Sequence, residues 1–405
     1  MKRIAIKNIC EVYDGPHATP KKTETGPVYL GIDAITEDGM LDSSQFSYLS
    51  KEDYIKWTKR VVPQENDIVF SYEATLGKYA LIPRGFYGCL GRRLAIIRVI
   101  SEEIDAKWLY YYFRSPEWNA FIKNQTVKGS TVDRISVEEF PNYTIPVISL
   151  KNQKKMVAVL EKIDAKIRTN NKINDYLEEM AKTIYDYWFI QFDFPGENGK
   201  PYKSSGGKMS FCNELNREIP QNWNYTSIGN ITICLDSERI PLSNQQREGM
   251  KGSIPYYGAT GIMDYVNRPI FSGNFVLLAE DGSVMDDNGN PILQRVSGDV
   301  WINNHTHVLQ PVKGYSCRLL YLLLKDIPVS IIKTGSIQMK INQANLNNYN
   351  ILSIPDAIRT QFINCVEPLD TKIMQIQQEN NNLIQFRDWL LPMLMNGQAT
   401  IEDCC

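Results

Sequence analysis

The chain contains 405 residues, 43% of them hydrophobic and 22% charged, and its formal net charge is −2. These proportions exclude a disordered chain, and the length suits two domains with connectors better than one core. The sequence has no apolar run of the roughly 18 residues that span a bilayer, and its start lacks the apolar core of a signal peptide. Because the eight cysteines are scattered without a Cys-x-x-Cys pair, we expect reduced thiols in a cytoplasmic protein.

Residues 1–148 are β-leaning, with apolar segments such as Asp67–Tyr72 and Leu94–Ile100 between turns marked by Gly and Pro. They predict a first mixed α/β domain rich in strands. From Leu76 to Val99 this domain has basic residues and no acidic one, a pattern that indicates local phosphate contact despite the near-neutral chain. The basic residues are Lys78, Arg84, Arg92, Arg93 and Arg98.

Residues 149–192 differ in character, because Lys151–Gln191 contains neither Gly nor Pro. Apolar residues recur there in alternating steps of four and three, which indicates a coiled-coil helix about 60 Å long. The predicted seam consists of Met156, Leu160, Ile163, Ile167, Asn170, Asn174, Leu177, Ala181, Ile184 and Trp188.

A joint rich in Gly, Pro and Ser occupies residues 193–223, and a second β-leaning domain follows over residues 224–355. Strands are predicted around Asn274–Glu280 and Val300–Leu309. Between Pro311 and Lys340 this domain again has an excess of basic residues, with Asp326 as the one acidic residue. The basic residues are Lys313, Arg318, Lys325, Lys333 and Lys340.

The last predicted element is a second long helix over residues 356–397. Each residue of its seam follows a residue of the first seam by the same number of positions, the number that separates Met156 from Phe362. We call this number the repeat offset. The second seam consists of Phe362, Val366, Leu369, Ile373, Ile376, Asn380, Leu383, Arg387, Leu390 and Leu394. Asn174 and Asn380 hold the same position in the two seams. An amide in a seam loses less stability in the correct alignment than in a slipped one, so these two residues are predicted to fix the register of the helix pair.

The same repeat offset relates other segments, which indicates that the two halves of the chain are repeats. It pairs Val127–Ser136 with Lys333–Asn342, and Glu161–Ile167 with Glu367–Ile373. Each helix has an apolar seam that needs a partner. The predicted fold class is therefore α+β: two repeated β-rich α/β domains joined by two long antiparallel coiled-coil helices with pseudo-twofold symmetry.

The joint closely resembles the segment that links the two halves of specificity subunits from Type I restriction–modification enzymes. The shared residues are Phe194-Pro195, Asn198-Gly199-Lys200-Pro201-Tyr202, Gly206-Gly207-Lys208-Met209, Arg217-Glu218-Ile219-Pro220 and Trp223. The second half is also similar to one type of target-recognition domain through Tyr256–Tyr265, Ala279–Ser283 and Trp301–Leu309. The family's usual pair of prolines before each helix is missing, which leaves the helix starts open.

The resemblance implies a DNA-binding subunit without catalytic activity of its own. Each β-rich domain would recognise one part of a split target in double-stranded DNA, and the helices would set the distance between the parts. Methylation and cleavage would reside in two methyltransferase (M) subunits and in restriction (R) subunits, which would use S-adenosylmethionine, ATP and Mg; no membrane is involved. On this interpretation, the sequence repeats because the DNA target has two half-sites.

Three kinds of residue are predicted to contact DNA. Basic side chains would neutralise phosphates, the two Gly-Ser turns would present backbone N–H groups to phosphate, and polar side chains on loops would contact base edges. The predicted contacts are Lys78, Arg84, Arg92, Arg93, Lys128, Gly129, Ser130, Asn303, Asn304, His305, Lys313, Lys333, Gly335, Ser336, Gln338 and Lys340.

Three patterns bear on other chemistry. Pro355-Asp356 followed by Asp370-Thr371-Lys372 imitates the acidic set of Mg²⁺-dependent nucleases, but the second group falls in a predicted helix rather than on a neighbouring strand. His305 and His307 share one face of a predicted strand, yet no nearby cysteine completes a metal site, so strand packing or DNA contact is favoured. No two prolines are adjacent, which removes the Asn/Asp-Pro-Pro-aromatic motif of adenine methyltransferases.

Two other functions stay open at this point. One is the recognition subunit of a related system in which a single partner chain both methylates and cleaves. The other is a coiled-coil scaffold that binds only protein. The scaffold predicts no salt-dependent DNA binding, and the two basic segments argue against it.

Overall fold

A computed structural model describes residues 2–36, 38–127, 133–335, 339–395 and 398–399. The chain forms two compact units, of which unit 1 is Met1–Arg168 with Asn381–Cys405 and unit 2 is Thr169–Asn380. Each unit is therefore built from both halves of the chain. Among the helices of the described residues, none is long and apolar enough to cross a membrane.

The strands of unit 1 form two sheets and one separate pair. They are β1 (Lys2–Ala5), β2 (Cys10–Asp14), β3 (Thr23–Leu30), β4 (Ser47–Tyr48), β5 (Ile68–Ser71), β6 (Tyr79–Leu81), β7 (Gly88–Leu90), β8 (Leu94–Val99) and β9 (Thr144–Val147). An antiparallel sheet has the order β2-β8-β5-β6, a mixed sheet has the order β4-β3-β7 with β3 and β7 parallel, and β1 pairs with β9. Along β5, Ile68 and Phe70 face one core cluster and Val69 faces another, so this central strand is apolar throughout because both of its faces are covered.

The helices that begin in unit 1 are α1 (Lys51–Trp57), α2 (Ala106–Phe113), α3 (Pro116–Gln125) and α4 (Leu150–Tyr185). Short 3-10 turns lie at Ile6–Asn8, Ile32–Ala34, Ser43–Gln45 and Phe140–Asn142. The carboxylate of Asp105 caps α2 by accepting from the N–H groups of Lys107 and Trp108. Every residue of α2 from Trp108 to Phe113 is buried, so this helix supplies much of the aromatic core of unit 1.

Unit 2 contains a longer central sheet. Its strands are β10 (Met209–Cys212), β11 (Arg217–Pro220), β12 (Asn224–Ser227), β13 (Thr232–Cys234), β14 (Lys251–Gly258), β15 (Gly261–Val266), β16 (Phe271–Ala279), β17 (Leu293–Ile302), β18 (Thr306–Pro311), β19 (Lys333–Thr334), β20 (Lys340–Ile341) and β21 (Asn350–Ser353). Six of them form a sheet in the order β13-β18-β16-β17-β14-β15, and the pairs β10-β11, β12-β21 and β19-β20 stand apart from it.

The helices that begin in unit 2 are α5 (Ile228–Ile231), α6 (Asn244–Glu248), α7 (Cys317–Lys325), α8 (Val329–Ile332), α9 (Gln343–Asn348) and α10 (Asp356–Met395). A single π turn, Asp186–Ile190, continues α4 into the joint, and a 3-10 turn lies at Asp236–Glu238. Helix α7 is capped by Ser316 and is buried along most of its length against the sheet.

The joint after α4 is held by stacked aromatic rings. Phe194 lies 4.8 Å from the ring of Tyr202 on one side and 4.8 Å from the ring of Trp223 on the other, with interplanar angles of 15° and 22°. A Cβ atom at Gly207 would lie 2.5 Å from the Tyr202 ring, so only glycine fits there. Residues that carry the family resemblance in the joint therefore pack against each other.

The long helices α4 and α10 pair in opposite directions within each unit, as predicted. In unit 2, Asn170 faces Asn380 and Tyr185 faces Phe362; in unit 1, Asp164 faces Arg387. All twenty predicted seam positions are buried or half-buried.

The strands that begin the two halves are also repeat equivalents, but the number of residues that separates equivalents changes along the chain. Strand β21 follows its counterpart β9 at the repeat offset, whereas β12 follows its counterpart β1 at a larger one. The hydrogen bond from the Ile6 N–H to the Tyr143 carbonyl has its equivalent between Ile228 and Tyr349. Loops of unequal length within the two β-rich domains account for the difference.

The partner of Asn380 is Asn170, not the repeat-equivalent Asn174. The Asn170 amide donates to Asn380 Oδ1 at 2.8 Å, and Asn380 donates to Asn171 Oδ1 at 2.7 Å. In an antiparallel pair, repeat-equivalent residues face each other only at the centre of the pair. The pseudo-twofold axis replaces each residue of a contact by its repeat equivalent on the other helix. The symmetry-related counterpart of the Asn170–Asn380 contact is therefore Asn174 opposite Ile376. Among the described residues, Asn174 Oδ1 is buried without a hydrogen-bond partner. Asn380 therefore makes hydrogen bonds across the seam through Asn170 and Asn171, and the role of Asn174 and Asn380 in fixing the register stays a prediction.

Replacing Asn380 with leucine should destabilise the protein by about 1–3 kcal/mol, because one N–H of the buried Asn170 amide loses its acceptor. The matched variant Asn174→Leu should be neutral or stabilising, since it removes a buried carbonyl oxygen that has no donor. Denaturant midpoints of both variants measure the contrast. Equal losses in the two variants would show that the Asn170–Asn380 bond has no special role.

Candidate nucleic-acid interface

In unit 2, a turn and a hairpin meet at one end of the central sheet. The N–H of Glu280, just after β16, donates to the His305 carbonyl at 2.9 Å, and the N–H of Ile341 donates to the Glu280 carbonyl at 2.8 Å. Asp281 forms a β-bridge with Lys340. We call this group the second loop platform: Glu280-Asp281, Asn304-His305 and the hairpin strands β19 and β20.

Unit 1 has the same arrangement. The N–H of Tyr72, just after β5, donates to the Arg93 carbonyl at 3.2 Å, and the N–H of Ile135 donates to the Tyr72 carbonyl at 2.8 Å. Glu73 forms a β-bridge with Arg134. We call the group of Tyr72-Glu73, Arg92-Arg93 and the paired residues Val127 and Arg134 the first loop platform.

Each loop platform also places a basic side chain beside a carboxylate. Arg93 Nε lies 3.0 Å from Glu73, and His305 Nδ1 lies 2.6 Å from Asp281. The structure places four predicted contacts at equivalent positions of the two platforms: Arg92 with Asn304, and Arg93 with His305. More residues separate Arg93 from His305 than the repeat offset. Aligning the two halves of the sequence at the repeat offset therefore does not pair these two residues.

Several predicted contacts are exposed on or near these platforms. In the second, Asn304 is exposed, the His305 side chain is 52% exposed and the Lys340 side chain is 54% exposed. In the first, Arg92 is exposed and Arg93 half-buried. Other predicted contacts in unit 2 are Lys333, which is half-buried, and Gly335 and Lys313, which are exposed. Arg84 is exposed on unit 1.

Two predicted contacts have internal partners. Asn303 is buried, and its Oδ1 accepts from the His305 N–H at 2.9 Å, so it shapes the turn and cannot reach a base edge from this position. Lys78 is half-buried and donates to the Ile35 carbonyl at 3.1 Å. The assignment of Asn303 as a direct DNA contact is therefore corrected to an internal one, and that of Lys78 stays a prediction. Lys128, Gly129, Ser130, Ser336 and Gln338 lie outside the described residues.

Arg98, from the basic segment of the first domain, is also an internal residue. Its guanidinium makes two hydrogen bonds to Asp67, of 2.8 and 2.6 Å, and a third to the Val62 carbonyl. Asp67 is buried. Its charge is thus neutralised by Arg98, which the count of basic residues could not reveal.

A buried network lies directly beneath the second loop platform. His307 Nδ1 is 2.5 Å from Asp236, and Arg239 contacts Asp236 at 3.4 Å and Glu280 at 2.6 Å. Lys340 lies 2.8 Å from Glu280. Burial alone would raise the pKa values of both carboxyls, but hydrogen bonds from His307 to Asp236, and from Lys340 and Arg239 to Glu280, hold both pKa values below their usual range. Sequence analysis missed this network because its members are far apart in the chain.

Cys234, Asp236 and His307 bring ligand-type atoms within 4.8 Å of one another. Burial and the neighbouring Asp236 raise the pKa of the Cys234 thiol to about 12, which disfavours the thiolate that a metal would bind. The Arg239 cation also contacts Asp236. The group therefore fits an internal hydrogen-bond network, and His305 contacts a different carboxylate.

The acidic residues that imitate a nuclease are held in ion pairs. Asp370 is 2% exposed and contacts Arg318 at 2.8 Å and Arg295 at 3.0 Å, while Asp356 contacts Arg359 at 2.7 Å. Arg318 also contacts Glu178 of α4 at 2.6 Å, so Asp370 ties the second β-rich domain to the helices within unit 2. The repeat-equivalent Asp164 in unit 1 accepts from Tyr111 and Arg387.

Replacing Arg98 with methionine should destabilise the protein by about 1–3 kcal/mol, because the buried Asp67 carboxylate loses its charged donor. The matched variant Arg92→Met should stay within about 0.5 kcal/mol of the parent, since the Arg92 side chain is exposed. Thermal unfolding of both variants is the measurement. Similar stability losses would mean that the two arginines are equally structural.

Comparisons with known proteins were made for the whole chain. The family described as the Type I restriction modification DNA specificity domain matches residues 1–179 and 220–385. The chain is 25% identical to the Type I restriction enzyme MjaIX specificity subunit of Methanocaldococcus jannaschii, over 98% of this chain and 93% of that protein. It is 24% identical to the EcoprrI specificity subunit of Escherichia coli, over 85% of this chain and 82% of that protein.

The fold is similar to a solved structure as well. The crystal structure of the Type I restriction–modification S subunit from M. genitalium matches with a TM-score of 0.50 and 16% identity, over 97% of this chain and 95% of that one. The family match alone covers well over half of the chain. The chain therefore belongs to the family of Type I restriction–modification DNA specificity proteins.

Proposed function

We propose that the chain is the DNA-recognition subunit of a Type I restriction–modification complex and that each loop platform contacts one half of a bipartite DNA target. The observation that supports this most directly is the duplication of the platform, with a basic side chain beside a carboxylate in each copy: Arg93 with Glu73, and His305 with Asp281. Two similar surfaces of one chain suit two separate DNA half-sites.

The chemistry of the platforms differs, as recognition of two different half-sites requires. The first presents guanidinium groups at Arg92 and Arg93, which suit phosphate or guanine contacts. The second presents an amide and an imidazole at Asn304 and His305, together with Lys340. The contacts predicted at residues 128–130, 336 and 338 remain part of the proposal.

Catalysis belongs to partner chains in this proposal. Methyltransferase (M) subunits would use S-adenosylmethionine, restriction (R) subunits would use ATP and Mg, and this chain would hold none of these. The ion pairs of Asp370 with Arg318 and Arg295 support a structural role for the residues that imitate a nuclease site.

Exposed apolar side chains on each long helix support binding of two M subunits. On α4 and its π turn within unit 2, the exposed side chains at helical spacing are Ile173, Tyr176, Met180, Tyr187 and Ile190. On α10 within unit 1, Phe386 and Trp389 are exposed and their rings stack 6.0 Å apart. Phe386 is the repeat equivalent of Met180. Exposed apolar stripes on helices typically bind an amphipathic partner helix, and two related stripes suit two identical partners.

Paired alanine variants test the assignment of half-sites. Arg92→Ala with Arg93→Ala should relax recognition or weaken binding through the first half-site, and Asn304→Ala with His305→Ala should do so through the second, by about 1–3 kcal/mol per lost base contact. Methylation mapping in the complex with M subunits identifies which half changes. Unchanged methylation patterns in both variants would contradict the assignment, and absence of salt-dependent DNA binding by the parent would favour the protein scaffold.

Charge substitutions test the M-subunit stripes. Met180→Lys and Phe386→Lys should each remove one M subunit, and the double variant should remove both, because a charge opposes burial in an apolar contact. Light scattering of the reconstituted complex gives the stoichiometry, with Lys172→Ala, an exposed residue outside the stripe, as the control. Full M occupancy in the double variant would exclude these stripes, and capture of one chain that both methylates and cleaves would favour the related system.

A further inference from the structure

We infer that His307 is a positioning residue for the second loop platform: its doubly protonated ring anchors the hairpin of β19 and β20, so that recognition of the second half-site weakens as the pH rises while recognition of the first does not. The inference rests on the proposed function, because it assumes that this hairpin contacts DNA.

The geometry of His307 requires a donor at both ring nitrogens. The residue lies in β18 and is 2% exposed. Its Nδ1 is 2.5 Å from the Asp236 carboxylate, and its Nε2 is 3.0 Å from the Ile341 carbonyl oxygen. Both partners are acceptors, and only the imidazolium form can donate from both nitrogens.

The groups around His307 favour its positive charge. Burial by itself would lower the pKa of His307, but the hydrogen bond and charge of Asp236, the Ile341 carbonyl and the charge of Glu280 together raise it above its ordinary value. Glu280 lies 3.8 Å from Nδ1, and the Cys234 thiol lies in the same cluster. The neighbouring cations Arg239 and Lys340 are paired with carboxylates: Arg239 with Asp236 and Glu280, and Lys340 with Glu280.

The anchor acts on the base of the hairpin. Ile341 ends strand β20, is fully buried, and is held through its N–H by the Glu280 carbonyl and through its own carbonyl by His307. Lys340, next to it, is tied to Glu280. When His307 loses a proton, one ring nitrogen turns a lone pair towards an acceptor, so either Asp236 or Ile341 loses its donor. The hairpin then loses one of the contacts that fix its direction.

In unit 1, Ala95 stands at the place of His307, and Asp14, the equivalent of Asp236, is contacted at 2.9 Å by His17, whose side chain is 69% exposed. In unit 2, the pairing of Cys234 with Leu309 brings Asp236 opposite His307, whereas in unit 1 the corresponding pair is Asp14 with Ala95. Alanine cannot titrate. The two half-sites of one complex therefore provide an internal comparison under identical buffer conditions.

The sign of the pH effect follows from the raised pKa. A group whose pKa is raised in the folded state stabilises that state fully below its ordinary value, and the contribution is lost as the pH rises through the raised value. Selectivity at the second half-site should therefore be complete on the acidic side of neutrality and decline on the alkaline side.

The experiment uses the full chain in complex with its M subunits and DNA duplexes that carry the bipartite site found by methylation mapping. The discrimination ratio is the affinity for the intact site divided by that for a duplex changed in the first or in the second half, measured from about pH 6 to about pH 9. We expect the second-half ratio to fall by about fivefold to tenfold over this range, comparable to one lost base contact. The first-half ratio should stay constant.

Two variants separate titration of His307 from other causes. His307→Gln cannot be protonated, so its second-half ratio should be independent of pH. His17→Gln changes an exposed histidine of unit 1 that is outside both loop platforms and should keep the pH dependence of the parent at both half-sites. A parent second-half ratio that is independent of pH, equal declines at both half-sites, or a decline that persists in His307→Gln would each overturn the inference and leave the proposed function intact. Absence of sequence-specific DNA binding at every pH would overturn the proposed function itself.

Discussion

The apolar seams of α4 and α10 are the constraint on which the rest of the structure depends. Neither seam can stay in water over its length, so each helix must be covered by the other. In unit 1, Met156 and Leu160 share a core with Leu391 and Leu394. In unit 2, Trp188 packs against Phe362. Because the helices come from opposite halves of the chain, the core of each unit is complete only with residues from both halves.

Polar contacts then fix positions along this apolar frame. The Asn170–Asn380 pair lies in the seam of unit 2, while the repeated aspartates Asp164 and Asp370 tie the helices to the β-rich domains. The same repeat position is used with different partners: a tyrosine hydroxyl and Arg387 in unit 1, and two domain arginines in unit 2. Both halves thus share the same kind of apolar seam, whereas the polar contacts between the helices and the β-rich domains differ between the two units.

The loop platforms follow the same rule. Their backbone connections are equivalent, from the end of a central strand through a turn to a hairpin, yet their side chains differ. In the proposed function, a fixed backbone with variable side chains suits recognition of two unlike half-sites, because base discrimination depends on the donors and acceptors presented. The His307 network belongs to one platform alone within the described residues, since Ala95 stands at the corresponding place in the other.

The sequence by itself determined the features that depend on local periodicity: two long helices, their seams, the β-rich domains and the repeat. Periodicity works there because a seam residue is buried by any partner helix, whichever residue it meets. Only the tertiary structure decided which residues meet. It paired Asn380 with Asn170 because antiparallel neighbours are not repeat equivalents, and it turned Asn303 and Arg98 inward to satisfy a turn and a buried carboxylate. It also joined Asp236, Glu280 and His307, which are separated in the chain by helix α6 and strands β14 to β17. Such contacts depend on chain folding over large sequence distances, and no local pattern encodes them.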